Sequence, residues 1–371
     1  MSDLPVMPPA APLRRRANSA WLRFVDFLTF GGAFGGTMTL IGLLALLIGT
    51  ILIGAFPSIH QFGFSFFTTS MWNPVTARFG AWPYIYCTLV TSLVALVISL
   101  PVSLGSAIFL VKLAPKIRFP IPSALLGKSS PSGWTLLNPR IFVTVTSFLI
   151  ELLAAIPSIA YGLWGVAVLV PIMQESIQPF LADSVILSDL PLCGWLPHWH
   201  VGLYLAHIPG IGILFADPAA GSNMFTSSVV LAIMVTPIMT AIIRDVLAVV
   251  PPELEQGALG LGATWWQAMK LVIGFSKMGI FGAVILGFAR AMGETMAVTM
   301  IIGNSRPSSY SLFSQGQTIA SLLANQFNNA DTDSERQALY FTALILLMIT
   351  MLINGIARVI LLRVTAGGKH K

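Results

Sequence analysis

Six apolar runs, near residues 30–55, 85–111, 141–172, 222–250, 279–303 and 338–362, fix most of what this chain can become. Each is long enough to cross about 30 Å of hydrocarbon as a helix. In lipid a backbone must satisfy its own N–H and C=O groups, so only helices or a closed barrel can span it. Unbroken runs of this length suit helices. The chain therefore reads as all-α, a polytopic membrane protein with six transmembrane helices. Composition agrees, with 56% apolar and 9% charged residues in a chain of 371, against about 25% charged in soluble domains.

Arg14, Arg15, Arg16 and Arg23 precede the first run. They resemble the start of a signal peptide, but the apolar core is too long and lacks a small-residue exit, which predicts a retained span. Residues 1–24 are expected to be a disordered cytoplasmic tail. The division continues with a first transmembrane helix and aromatic periplasmic segment over 25–84, a transmembrane domain over 85–363, and a second cytoplasmic tail over 364–371. The rings of the aromatic segment, among them Phe62, Phe66, Trp72, Phe79, Trp82 and Tyr84, are expected at the headgroup level.

Basic residues set the orientation. Of 20 Lys and Arg, only Arg78, Arg306 and Arg336 fall in outer segments and Arg290 within a span, leaving 16 on the side of the N-terminus. Both termini are then cytoplasmic. The formal charge of +6 is a topology signal and calls for no nucleic-acid partner.

Several motifs are weaker than they look. Gly127-Lys128-Ser129 matches the end of a phosphate-binding loop, but Pro122 stands at its first glycine and no strand precedes it, so no ATP site or other cofactor is expected in this chain. His198, His200 and His207, with Cys193 nearby, fit no closed zinc spacing, and no metal is expected. Cys87 and Cys193 read as two free thiols, since a disulfide needs Cα atoms about 5.5 Å apart. The loop 173–221 contains no Lys or Arg and is long for a structureless connection, which points to a fold over the outer mouth or a contact with a partner.

Pro101 and Pro157 interrupt the backbone ladder inside spans, which is tolerated only against protein or a watery cavity. Glu151 lies roughly 16 Å along the third span from Arg140, at 1.5 Å per residue, and is expected to face other protein. Between the fourth and fifth spans, PPELEQGALGLGATWWQAMKLV (251–272) opens with Pro251, Pro252 and two acids, a helix start. Gly260 and Gly262 then break it, and a second helix runs toward the membrane. An interfacial helix, with Trp265 and Trp266 at the headgroups, is the alternative to a docking element.

The stretch Gln256-Gly257-Ala258-Leu259-Gly260-Leu261-Gly262 resembles the E-A-A-x-x-x-G signature of binding-protein-dependent ABC importer permeases. Gln256 stands where that family has Glu, unless Glu255 serves with a one-residue shift, and Gly274-Phe275 stands where Leu-Pro is usual. MWNPVTARFGAWPYIYCTLVTSLVAL (71–96), ELLAAIPSIAYGLWG (151–165) and RAMGETMAVTMIIGN (290–304) are similar to the phosphate-specific branch, the PstC type. The resemblance implies a type I ABC importer permease fold and a coupling helix at 252–270 that docks an ATPase through Glu255, Gln256, Gly257, Ala258 and Gly262. It also implies a second homologous permease subunit, two copies of an ATPase subunit carrying ATP and Mg, a periplasmic phosphate-binding protein and surrounding membrane lipid. No catalytic residue is expected.

With phosphate as cargo, Arg290 becomes the central residue of the path. Its guanidinium offers five donors in a fixed fork, and placing it mid-span costs about 2.5–3.5 kcal/mol on insertion scales. Glu294, one helical turn on, would aim it, and Ser158 beside Pro157 would add a hydroxyl donor. A buried ion pair that only orients the fifth helix, or one between Arg290 and Glu151, is the competing reading; such pairs add little stability. A sulfate or molybdate permease, or a secondary transporter without an ATPase, are the alternative functions.

Overall fold

The computed structural model describes residues 19–116, 120–122, 134–136, 139–182, 185–186, 200–201, 212–215, 220–306 and 309–367. Residues 1–18, the Gly127-Lys128-Ser129 stretch, Cys193, His198 and His207 lie outside them. The chain divides into two units, Met1–Ile53 and Gly54–Lys371.

The described part of the first unit is helical and belongs to α1 (Ser19–Phe62). Its surface exposes Phe27, Phe30, Leu40 and Ile53. The hydroxyls of Thr29, Thr37 and Thr39 donate to carbonyls one turn back at 2.8–2.9 Å, so these side chains present no free donor to lipid.

In the second unit α2 (Ser65–Thr68) leads to a two-residue hairpin, β1 (Trp72–Asn73) and β2 (Arg78–Phe79). Trp72 pairs with Phe79 across it. Phe66, Trp72, Phe79 and Tyr84 are buried against other parts of the chain, whereas Trp82 is exposed. Trp72 meets Phe79 and Tyr84 edge-on at 5.0 and 5.6 Å, and Phe66 stacks on Phe341 at 4.5 Å. The hairpin folds the rings onto one another, which lets them bury apolar area in edge-on contacts.

α3 (Trp82–Leu113) packs along α6 (Met224–Ala248). Small residues make this close approach: Ala95, Ser99 and Ser103 of α3 are buried, and the Ser103 hydroxyl donates to the Thr236 carbonyl at 3.1 Å. The helix continues across Pro101, whose ring points to an exposed face. β3 (Pro120–Pro122) pairs with β4 (Trp134–Leu136), and β5 (Val185–Ile186) with β6 (His200–Val201).

The third span departs from expectation. α4 (Pro139–Ala155) stops at Pro157, and the membrane-length helix is α5 (Ser158–Ala182), not 141–172. Pro157 has an extended backbone (ψ 139°), and the Tyr161 hydroxyl donates at 2.8 Å to the Leu153 carbonyl freed at the break.

α7 (Pro252–Gly260) follows α6, and α8 (Trp265–Gly293) starts earlier than 279 because Thr264 and Gln267 form a reciprocal capping box. α8 ends at Gly293. A separate short helix, α9 (Met296–Ile301), follows; then come α10 (Ile319–Gln326) and α11 (Asp333–Gly367). Among the described residues six helices are long and apolar enough to cross a membrane: α1, α3, α5, α6, α8 and α11.

Candidate functional site

Two broken helices meet beside α6. The start of α5 packs against α9 so closely that a Cβ on Gly162 would lie 2.8 Å from the Met300 sulfur and 3.3 Å from the Ala297 Cα. A Cβ on Gly165 would collide with Ile301. Gly162 beside Ala297 and Gly165 beside Ile301 make α9 and the start of α5 run the same way, so the breaks at Pro157 and Glu294 lie at the same end of the pair. Ser158 and Glu294 are half-buried there.

Glu294 has ψ 128°, which swings it out of the helical path, and it caps α8 through its N–H to the Ala291 carbonyl at 3.4 Å. Arg290 sits in the last turn of α8, where a cation complements the exposed carbonyl ends. It is exposed, and among the described residues it has no carboxylate within ion-pair distance. The one-turn pairing of Arg290 with Glu294 expected from the sequence is therefore absent, because the helix that would align them ends between them.

Glu151 is not at Arg290 either. Its carboxylate lies 3.4 Å from Arg244, near the end of α6, and Arg244 also meets Asp245 at 3.1 Å. The Glu151 side chain is 58% exposed. It faces α6 through Arg244, from α4, a helix separate from the membrane-length α5. Between α3, α4 and α6 lies a mainly apolar cavity of about 340 Å³ that includes Ser106, Thr236 and Thr240 in its wall.

The C-terminal end of α9 carries a feature the spacing argument missed. Gly303 and Asn304 have positive φ (92° and 50°); Asn304 Nδ2 donates to the Thr299 carbonyl at 2.5 Å and Ser321 Oγ donates to Asn304 Oδ1 at 3.2 Å. The Gly-Asn pair was the available signal, since these residues tolerate the left-handed region that ends a helix.

At the far end of α6 the short helix α7 has two distinct faces. Leu254 and Ala258 pack against a cluster with Ile108, Ile243, Leu247, Met269 and Val272. Glu255 also turns inward: its Oε2 accepts from Lys112 Nζ at 2.8 Å, with 11% and 12% of the two side chains exposed. Gln256, Gly257, Gly260 and Gly262 are exposed, and Leu261 is 92% exposed. Gly262 has φ +85° and closes the helix, its N–H reaching the Leu259 carbonyl at 3.0 Å. Of the five residues expected to face an ATPase, Gln256, Gly257 and Gly262 are on the outward side, Ala258 is half-buried, and Glu255 is engaged within the chain. Trp265 is half-buried in the same cluster, whereas Trp266 is exposed.

Among the described residues no group of His, Cys, Asp and Glu could hold a metal ion, and Cys87 is a buried free thiol.

Residues 125–366, which include α4–α9, match the family described as the binding-protein-dependent transport system inner membrane component. The chain belongs to this family. The permease is 38% identical to the phosphate transport system permease protein PstC of Mesorhizobium japonicum over 96% of this chain and 97% of that protein. The protein of the same name from Pasteurella multocida is 39% identical over 87% of each chain. A probable PstC of Methanocaldococcus jannaschii is 31% identical over 84% of this permease and 86% of its relative. As a member of this family the permease is a multi-pass transport subunit and not an enzyme.

Proposed function

We propose that this permease is one half of the translocation path of an ATP-driven phosphate importer. The observation that carries the reading is the 38% identity with a phosphate permease over nearly the whole of both chains. A second, homologous permease supplies the other half of the path. Two copies of an ATPase subunit bind ATP and Mg, and a periplasmic phosphate-binding protein delivers the anion. The complex sits in the bacterial inner membrane with both termini of this chain in the cytoplasm, as the distribution of Lys and Arg supports.

Arg290 contacts phosphate transiently as it passes. Its exposure and its lack of a carboxylate neighbour leave its donors available to an oxyanion. Glu294 and Ser158, half-buried at the shared end of α5 and α9, belong to the same path, and Glu294 keeps the net charge low so that the ion can leave. Glu151 balances Arg244 toward the cytoplasmic mouth. The outward side of α7, with Gln256 and Gly257, and Gly262 just past its end dock the ATPase, while Ala258 seats the helix on the chain from its inner side.

Co-purification tests the assembly. The tagged permease is expected to retain an ATPase chain, and inactivating that ATPase is expected to abolish phosphate uptake. Uptake that survives the inactivation contradicts the reading.

A further inference from the structure

We propose that Lys112 and Glu255 form a strut that transmits displacement of α7 to α3, which makes both of them positioning residues for transport. The inference rests on the reading of α7 as the helix that docks the ATPase.

α7 is held to the rest of the chain mainly by apolar contacts from Leu254 and Ala258. Such contacts are non-directional and can slide. Glu255 supplies a directional tie, at 2.8 Å to a lysine that is itself almost fully buried. Separating the two breaks a charge-assisted hydrogen bond between largely buried groups, which contributes about 1.5–3 kcal/mol and depends on direction, whereas an apolar face can shear without such a loss. Movement of α7 is therefore passed to whatever carries Lys112.

Lys112 lies in a π-helical turn, Phe109–Leu113, at the end of α3. Single π turns are sites where a helix is widened and locally adjustable, and they recur at functional positions. At its opposite end α3 is tied to the segment that follows the broken helices: the Ile319 N–H donates to Thr88 Oγ1 at 2.9 Å, and the Tyr86 hydroxyl donates to the Tyr310 carbonyl at 2.7 Å. That segment is joined in turn to the end of α9 by the Gly316 N–H and the Ile302 carbonyl at 3.0 Å. A continuous series of contacts thus runs from α7 through the charge pair and the length of α3 to the helix beside Glu294. Hydrogen bonds and the Lys112–Glu255 pair form its joints, so each link is directional.

Three variants in the reconstituted complex, with ATPase and binding protein present, test the proposal. The measurement is ATP hydrolysed per phosphate imported, with ATPase retention scored in parallel. Glu255→Gln is expected to keep the ATPase bound but raise the ratio by about tenfold or more. The double variant Lys112→Met with Glu255→Leu replaces both members of the pair by apolar side chains and is expected to assemble, yet show the same raised ratio because its contact can slide. The exchange Lys112→Glu with Glu255→Lys restores a charge pair and is expected to return the ratio to within about threefold of the parent. The proposal is overturned if the apolar pair couples as well as the parent, if the exchange recovers nothing, or if Glu255→Gln loses the ATPase, which would make Glu255 a contact to that partner. A parent chain that retains no ATPase would refute the underlying docking reading instead.

Discussion

Arg290 is exposed in the last turn of α8 and, among the described residues, has no carboxylate within ion-pair distance, which supports the proposed role in the path over a structural ion pair. A charge-assisted hydrogen bond contributes about 1.5–3 kcal/mol, and about 1.4 kcal/mol is tenfold. Replacing Arg290 by Gln is accordingly expected to lower phosphate uptake about tenfold to a hundredfold while the complex still assembles, measured by radiolabelled phosphate in cells with matched permease levels. Uptake at the parent rate would remove Arg290 from the path. The presence of this charge inside an apolar run was plain in the sequence. Its separation from Glu294 was not, because Gly293 and Glu294 carry no proline to announce a break, whereas Pro157 announced its own. Glu255 was equally opaque: its partner Lys112 is 143 residues away, and no local spacing encodes a contact of that range.

The short helices set the geometry at the next scale. α9 fits against α5 only because Gly162 and Gly165 lack side chains. A Gly165→Val change is expected to force the pair apart, lowering stability by about 1–3 kcal/mol, read as a fall in the unfolding temperature of the purified complex in detergent; an unchanged temperature would mean the helices can separate freely. α7 offers a complementary test, since Leu261 is 92% exposed and makes no core contact that a charge would break. Leu261→Asp is expected to leave folding intact and to reduce ATPase co-purification several-fold, and retention at the parent level would move the docking surface elsewhere. Gly262→Ala adds strain of about 1–2 kcal/mol at φ +85° and is expected to weaken the same interaction. At this scale the sequence served well where termination chemistry is local: Pro251-Pro252 at the start of α7, and Gly260 and Gly262 at its end. It served poorly for the third and fifth spans, because an apolar run records what lipid or protein tolerates, not where a cap or an unheralded break divides it. The capping box at Thr264 and Gln267 moved the start of α8 outside the apolar run altogether.

Within Gly54–Lys371 the chain combines the membrane-length helices α3, α5, α6, α8 and α11, a close pair formed by α9 and the start of α5, and, beyond the end of α6, a helix with one buried and one exposed face. The hydropathy pattern carried the architecture because lipid admits so few backbone solutions. The cargo is a different matter, since phosphate and sulfate are tetrahedral oxyanions that a guanidinium can bind alike, and only the likeness to named phosphate permeases separates them. The central claim is an ATP-driven path for phosphate, and the most direct test is transport in proteoliposomes containing this permease, its partner permease, the ATPase and the binding protein. Uptake of labelled phosphate is expected to require ATP and the binding protein, and to be undiminished by a hundredfold excess of sulfate. Uptake that proceeds without ATP, or that sulfate abolishes, would contradict the account.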